Sequence, residues 1–101
     1  MKTGIELITD ERQRQVDAEG WTPEHDDKYT NDELPSAAVS YALPEGDPDR
    51  DNDDFAPRNW PWKLEWWKPG DGTKDGRIRE LAKAGALIAA EIDRINRLPP
   101  N

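Results

Sequence analysis

The sequence predicts a small all-α protein, one domain with three helices, and three observations support this. The chain has 101 residues, which suits a single domain. Apolar residues recur at helical spacing through 75–97, the longest such pattern in the chain. Segments 3–19 and 31–43 carry the start and stop signals of two shorter helices. We therefore assign 1–101 to one helical domain, in which a long Trp-rich loop packs on the C-terminal helix.

The first helix, 3–19, begins at a capping box. Thr3 can accept a hydrogen bond from the backbone N–H of Glu6, whose side chain can bond the backbone of Thr3 in return. Gly20 ends the helix. Its polar stretch 10–15, DERQRQ, is interpreted as a solvent-exposed face with ordinary ion pairs between neighbouring side chains. The apolar side of this helix is marked by Ile5, Ile8 and Val16.

The second helix, 31–43, follows an ordered turn. Asn31 or Asp32 can cap its start, and Pro44 ends it. The next residues, 44–58, are acidic, contain Pro and lack any periodicity. We therefore expect a loop there that is exposed to solvent.

The third helix, 75–97, has two kinds of surface. One is a stripe of large apolar side chains that is interrupted by a glycine: Ile78, Leu81, Gly85, Ile88, Ile92 and Ile95. The other is a surface of small residues, mainly Ala, in the middle of the helix. We expect the first two helices to cover the stripe, and the small residues to receive the Trp-rich segment or a second subunit.

The Trp-rich segment, 59–69, contains four of the five Trp residues in the chain. Four neighbouring indoles are too large an apolar surface for all of them to be exposed without a reason. We therefore expect the segment to cover the core as a lid. One or two of its indoles would also line a pocket in which a planar ligand stacks.

Composition and charge exclude several classes of function. The formal net charge is −8 and the sequence pI is about 4.6, which argues against general nucleic-acid or anionic-membrane binding, because both surfaces are negative. Without Cys there is no disulfide framework, thiolate nucleophile or Cys-ligated zinc. No signal-like or membrane-spanning apolar run is present, so we expect a cytoplasmic protein. With 34% hydrophobic residues the core is thin, and we expect a homo-oligomer.

A metal-dependent enzyme is one alternative. His25, Asp26, Asp27 and Glu91 are the candidate ligands, and Mg²⁺ would be the cofactor, because hard cations take clustered carboxylates. The chain is similar to the all-helical nucleoside triphosphate pyrophosphohydrolases in size, helical content and acidity. That class carries Glu-x-x-Glu and Glu-x-x-Asp pairs, whereas Glu91 and Asp93 here lie about 200° apart on a helix.

Five motifs together resemble one protein family. They are ERQRQ at 11–15, EGWTPEHDD at 19–27, DELPSAAVSYA at 32–42, WPWKLEWWKP at 60–69 and KAGALIAAEIDR at 83–94. The family consists of small phage and prophage proteins with E-R-x-R-Q, E-G-W-T-x-x-H-D-D, W-P-W, W-W-K-P and K-A-G-A-L-I motifs. It brings no established reaction. The resemblance implies a phage or prophage protein in the host cytoplasm, where small proteins often counteract host defences.

We expect the chain to bind and sequester a nucleotide-derived immune signal, of the cyclic ADP-ribose or cyclic dinucleotide type, without turnover and without a cofactor. Stacking a base requires aromatic rings, holding phosphates requires cations, and fixing a ribose requires carboxylates. The candidates for the base are Trp21, Trp60, Trp62, Trp66 and Trp67. The candidates for the phosphates are Arg12, Arg14, Lys68, Arg77, Arg79 and Lys83. The candidates for the ribose are His25, Asp26 and Asp27. A second alternative is an acidic inhibitor that binds a host defence complex.

Overall fold

The computed structural model describes residues 1–51 and 56–100, so residues 52–55 of the predicted acidic loop lie outside the described part. Within that part the chain contains helices and no strand, which confirms the all-α prediction. The elements are α1 (Gly4–Glu19), α2 (Pro23–Asp26), α3 (Glu33–Ala42), a turn of 3-10 helix (Leu64–Trp66) and α4 (Lys74–Asn96). The three predicted helices are α1, α3 and α4, and the single-turn α2 was predicted as a turn.

Threonine side chains begin three of the four α-helices. The capping box at Thr3 and Glu6 is present as predicted. Thr22 caps α2 by accepting a hydrogen bond from the backbone N–H of His25, and Thr73 caps α4 in the same way. Asp32 occupies the start of α3 in a left-handed conformation, with φ of 61°, and its side chain makes no capping hydrogen bond. The predicted side-chain cap of the second helix is therefore wrong.

The core lies between α3 and α4, and small side chains dominate it. Its buried apolar residues are Leu34, Ala37, Ala38 and Tyr41 of α3 with Ala84, Leu87 and Ala90 of α4. Alanines at a helix contact let the two backbones approach closely, so a short helix and a long one pack with little bulk between them. Trp60, Trp62 and Trp67 pack against the same cluster. This confirms that the Trp-rich segment covers the core.

The apolar stripe of α4 faces solvent, contrary to prediction. Ile78, Leu81, Ile88, Ile92 and Ile95 are each between 39% and 53% exposed. Only Gly85 is closely covered, because Ile8 of α1 fills the notch there and a Cβ at Gly85 would lie 2.5 Å from Ile8 Cδ1. The physical reason is that α3 packs on the alanine face of α4, because small side chains allow the closer contact. The larger side chains of α4 then point away from α3, toward solvent.

Glu80 of α4 ties two separate segments to the helix, and its neighbour Arg77 ties a third. Its carboxylate accepts two hydrogen bonds from Arg50, one from the backbone N–H of Gly70 at 2.7 Å and one from Arg77 at 3.2 Å. Arg77 also donates to the backbone carbonyls at the end of α3, where Tyr41 O lies 2.9 Å away. Arg50 is only 3% exposed. The predicted solvent-exposed loop is therefore fixed to α4 at this point, because the buried carboxylate needs a cationic partner.

Candidate functional site

A cavity of about 750 Å³ lies between α1, α3, α4 and the Trp-rich segment, with the residues around α2 closing one side. Its volume falls in the range of small-molecule sites. It is lined by Glu11, Arg14, Gln15, Glu19, Trp21, His25, Lys28, Tyr29, Tyr41, Trp60, Pro61, Trp62, Lys63, Trp66, Lys68, Lys83 and Leu87.

One wall of the cavity is a continuous array of aromatic rings. Trp62 stands at its centre, with ring centroids 5.7 Å from Trp21, 5.4 Å from Trp60 and 5.2 Å from Tyr29. His25 extends the array because its ring stacks on Trp21 at 5.9 Å and 9°. Edge-to-face and stacked contacts of this kind hold each ring in one orientation. The wall is therefore formed before any ligand arrives.

The Trp-rich segment keeps its shape through backbone contacts as well as through ring packing. Trp60 Nε1 donates to Lys63 O at 2.9 Å, and the backbone N–H of Lys68 donates to the Tyr41 hydroxyl at 3.3 Å. Trp66 is different from its neighbours, because it is 56% exposed at the edge of the cavity. Its indole is the part of the wall that a ligand could cover.

The cavity carries positive charge within an acidic protein. Five cations line it, namely Arg14, Lys28, Lys63, Lys68 and Lys83, against the two carboxylates of Glu11 and Glu19. The whole chain has a formal net charge of −8. Because a cleft with one sign of charge and apolar walls concentrates the field, the cavity favours an anionic ligand over the rest of the surface.

Lys83 is the cation closest to the core. Its Nζ donates to Lys68 O at 3.1 Å and lies 5.3 Å from the centre of the Tyr41 ring. Burial lowers the pKa of Lys83 below its ordinary value, although the nearby Glu11 carboxylate acts in the opposite direction. The ammonium has therefore given up part of its hydration, and an anion in the cavity would replace it.

Glu11 and Gln15 show that the polar stretch of α1 faces inward, so the solvent-exposed interpretation of DERQRQ is wrong for these two residues. Glu11 is 8% exposed and Gln15 is 3% exposed. Both oxygens of Glu11 accept hydrogen bonds from Arg14, at 2.9 and 2.8 Å. The reason for the inward orientation is the cavity itself, which supplies charged partners that an apolar core would lack.

Two buried polar atoms at the cavity have no hydrogen-bond partner among the described residues. They are Gln15 Oε1, an acceptor, and Trp62 Nε1, a donor. The amide of Gln15 is oriented by its Nε2, which lies 3.5 Å from the Glu11 carboxylate, a group that can only accept. An unsatisfied buried polar atom costs about 1–3 kcal/mol, but both atoms are covered by their neighbours, so a ligand could bond them only after a side chain of the wall moves.

Eight of the residues predicted from the sequence line this cavity: Arg14, Trp21, His25, Trp60, Trp62, Trp66, Lys68 and Lys83. They come from four different parts of the chain, and the cavity is the place where those parts meet. The predicted combination of indoles and cations is thus assembled in one site.

The other predicted residues have structural partners elsewhere. Asp26 is fully buried, where Arg12 Nη2 donates to it at 2.7 Å and His25 Nδ1 lies 3.1 Å away. Asp27 accepts from Arg97 at 2.7 Å. Because Asp26 and Asp27 both face arginines, neither points a free carboxylate into the cavity.

The remaining predicted residues also lie outside the cavity lining. Trp67 packs on Tyr41 with ring centroids 4.7 Å apart, and the guanidinium of Arg50 lies over its ring. Arg77 bonds the carbonyls at the end of α3. Arg79 lies in a separate, shallow cleft between α1 and α4.

Sequence reasoning missed about half of the lining: Glu11, Gln15, Glu19, Lys28, Tyr29, Tyr41, Pro61, Lys63 and Leu87. One signal was available on α1. Glu11, Gln15 and Glu19 recur every four residues, which places them on the same face of the helix, directly before Trp21. A polar stripe that leads to an indole indicates a site rather than a solvated face.

The alternative metal ligands are not brought together. Among residues 1–51 and 56–100, no group of three or more His, Asp or Glu side chains is placed to hold a metal ion. Glu91 accepts from Arg94 at 2.7 Å, so it faces an arginine as Asp26 and Asp27 do. None of the described helices is both long and apolar enough to cross a membrane.

Comparison with known proteins finds no match for this chain. No protein-family model matches the chain, and neither a curated protein nor a solved structure is significantly similar to it. The resemblance to small phage proteins therefore stays a prediction from the motifs, and any function must be argued from the cavity.

Proposed function

We propose that the cavity binds a nucleotide-derived anion and sequesters it without turnover. In the phage or prophage setting that the motifs suggest, the ligand would be an immune signal of the cyclic ADP-ribose or cyclic dinucleotide type. The observation that carries the proposal is the pairing of an aromatic wall with five cations in one cavity of an acidic protein.

The parts of such a ligand have matching groups in the cavity. A base would stack on the exposed indole of Trp66, and base stacking on an aromatic side chain is worth about 1–3 kcal/mol. If a side chain of the wall moved on binding, the polar edge of the base could also bond Gln15 Oε1 and Trp62 Nε1, which have no partner among the described residues. The phosphates would bond Lys83 and the lysines near it.

The carboxylates of the cavity support holding rather than cleaving the ligand. Both oxygens of Glu11 are engaged by Arg14, which also donates to Glu19 at 3.0 Å. A general base needs a carboxylate or imidazole that is free to take a proton from the attacking group. His25 Nδ1 faces Asp26 and its ring lies flat against Trp21, but this contact does not involve the second ring nitrogen, Nε2. The two carboxylates are therefore held by neighbours within the protein, and His25→Gln is the variant that would identify base catalysis if any product were cleaved.

Ligand recovery tests the proposal. The protein is mixed with cyclic ADP-ribose isomers, cyclic dinucleotides and linear mononucleotides, freed of unbound ligand, denatured, and the released material identified by mass spectrometry. We expect one member to be recovered intact, in an amount near one per chain. Recovery of cleaved product that depends on added Mg²⁺ would instead establish the enzyme alternative. If no member is retained, the proposal fails.

A further inference from the structure

We propose that the exposed stripe of α4 pairs with the same stripe of a second copy of this chain, with the two helices antiparallel. The stripe consists of Ile78, Leu81, Gly85, Ile88, Ile92 and Ile95, and Leu98 extends it beyond the end of the helix. This inference concerns a surface away from the cavity, so it stands independently of the ligand.

The spacing of the stripe is that of a helix-pairing surface. Its members alternate between intervals of three and four residues, a period of 3.5, which is typical of helices that pack along their length. The opposite face of α4 is already used inside the domain by Ala84, Leu87 and Ala90. The helix is therefore apolar on two sides, and a single chain covers only one of them.

The order of the intervals is compatible with an antiparallel arrangement. The spacing three, four, three, four, three reads the same in both directions along the helix. A second copy that runs in the opposite direction therefore places its Ile95 against Ile78 and its Ile92 against Leu81. The same register sets Ile88 of the second copy at the level of Gly85, whose notch is already filled by Ile8 of α1, so Ile88 would meet Ile8 there.

Helix dipoles favour the antiparallel orientation. Two antiparallel α4 helices set their dipoles in opposite directions, whereas a parallel pair would align them.

The exposed area suits the apolar centre of an interface. Ile78, Leu81, Ile88, Ile92, Ile95 and Leu98 are between 39% and 53% exposed. Because a Leu or Ile side chain offers on the order of 100 Å² of apolar surface, they leave roughly 300 Å² open along one side of the molecule. A stable interface buries about 800 Å² per partner, of which a little over half is apolar. α1, whose Ile8 lies beside Gly85, would supply the remainder.

Disulfide cross-linking tests the orientation, and the absence of native cysteine makes the result direct. Ile78→Cys and Ile95→Cys are prepared separately, mixed under reducing conditions and then oxidised. We expect a cross-linked dimer from the mixture and little from either variant alone, because a disulfide requires Cβ atoms about 4 Å apart. Cross-linking of each variant with itself would overturn the antiparallel arrangement.

The molar mass in solution tests whether the stripe pairs at all. Light scattering should give twice the chain mass of 11.5 kDa, or an even multiple of it, for the natural sequence. Ile92→Lys should lower the mass, to that of one chain if the natural protein is a dimer, with its helical circular dichroism retained. Val39→Lys is the matched control, because Val39 is 44% exposed on α3 and lies outside both the stripe and α1. A monomeric natural protein, or equal loss of mass in both variants, would overturn the proposal.

Discussion

The position of Lys83 favours anion binding but disfavours the charged form of its own side chain. Its burial lowers the pKa of the ammonium, so the charged form is held in a place that disfavours it. The same placement brings the charge beside Tyr41 and the other lining groups of the cavity. A side chain kept in this position against its own hydration is typical of a functional site.

Lys83→Met should therefore weaken binding without weakening the fold. A charge-assisted hydrogen bond is worth about 1.5–3 kcal/mol, so we expect the affinity for an anionic ligand to fall about 10- to 100-fold. The free energy of unfolding should change by less than about 1 kcal/mol, because the lost bond to Lys68 O is offset by relief of the buried charge. Calorimetric titration and urea unfolding measure the two quantities. Unchanged affinity would remove Lys83 from the site.

The lowered pKa of Lys83 also gives a pH dependence with a definite sign. As the pH rises through this value the folded protein loses the charge, so anion binding should weaken. Over the interval up to the ordinary lysine pKa, the unfolded chain binds the extra proton, and the Lys83 contribution makes the protein more stable as pH rises. Titrations across alkaline pH with the natural protein and Lys83→Met separate this effect from other groups, because the variant should lack it.

Glu80 is the residue that holds the loops around Arg50 and Gly70 against α4. Removing its charge in Glu80→Gln leaves buried Arg50 with only the exposed Asp51 as a carboxylate partner among the described residues, and breaking a buried pair costs up to about 3–5 kcal/mol. Urea unfolding should detect this loss, whereas the exposed Glu65→Gln should change stability by less than about 0.5 kcal/mol. Similar stabilities for the two variants would contradict the role assigned to Glu80.

Acid should act on the same carboxylate. Burial by itself would raise the pKa of Glu80, but the bonds from Arg50, Gly70 and Arg77 outweigh it and lower the pKa. The stabilisation is therefore complete above the ordinary Glu pKa and is lost as the pH falls through the lowered value. Between neutral and acidic pH, the free energy of unfolding measured in urea should therefore fall less in Glu80→Gln than in the natural protein.

At the scale of elements, the Trp-rich segment divides its two adjacent indoles between function and stability. Trp66 is 56% exposed at the edge of the cavity, while Trp67 packs on Tyr41 and Trp60. Trp66→Ala should lower ligand affinity about 10-fold, as expected for one lost stacking contact, and leave the unfolding free energy nearly unchanged. Trp67→Ala should lower the unfolding free energy by about 3–5 kcal/mol.

Each member of this pair is the control for the other. Fluorescence titration measures the affinity, and urea unfolding measures the stability of the same samples. If Trp66→Ala destabilised the protein as much as Trp67→Ala, the exposed indole would belong to the core and not to a binding wall.

The sequence predicted the helices well because their signals are local. Thr3, Glu6 and Gly20 define α1 through hydrogen bonds and turn geometry within a few residues. The orientation of α4 was not predictable in the same way, since both its Ala face and its Ile face satisfy a helical period. Which face packs on α3 depends on how closely the backbones can approach, and that is a property of the pair.

The candidate site, like the fold, was predictable where its signals are local and not where they depend on packing between distant segments. The indoles were identified because clustered Trp residues are conspicuous in any sequence, and four of the five line the cavity. Gln15 was not identified, because its burial is decided by α4 and the Trp-rich segment, which are distant along the chain. Arg50 was assigned to a solvated loop for the same reason, since its partner Glu80 is thirty residues away.

At the scale of the whole molecule, the charge distribution separates the surface from the site. An overall charge of −8 repels other anions, while the cavity gathers cations against an aromatic wall. The electrostatic potential therefore favours a small anion inside the cavity and disfavours it elsewhere on the surface. The exposed stripe of α4 lies on a different surface, so assembly through it would leave the cavity available.

The most direct test of this account is calorimetric titration of the natural protein with cyclic ADP-ribose isomers and cyclic dinucleotides, alongside Lys83→Met and Trp66→Ala. At least one of these ligands should bind the natural protein with a Kd well below about 1 mM, and each variant should bind it about 10-fold more weakly or worse. Absence of binding by every ligand, or equal binding by all three proteins, would contradict the claim that this cavity holds a nucleotide.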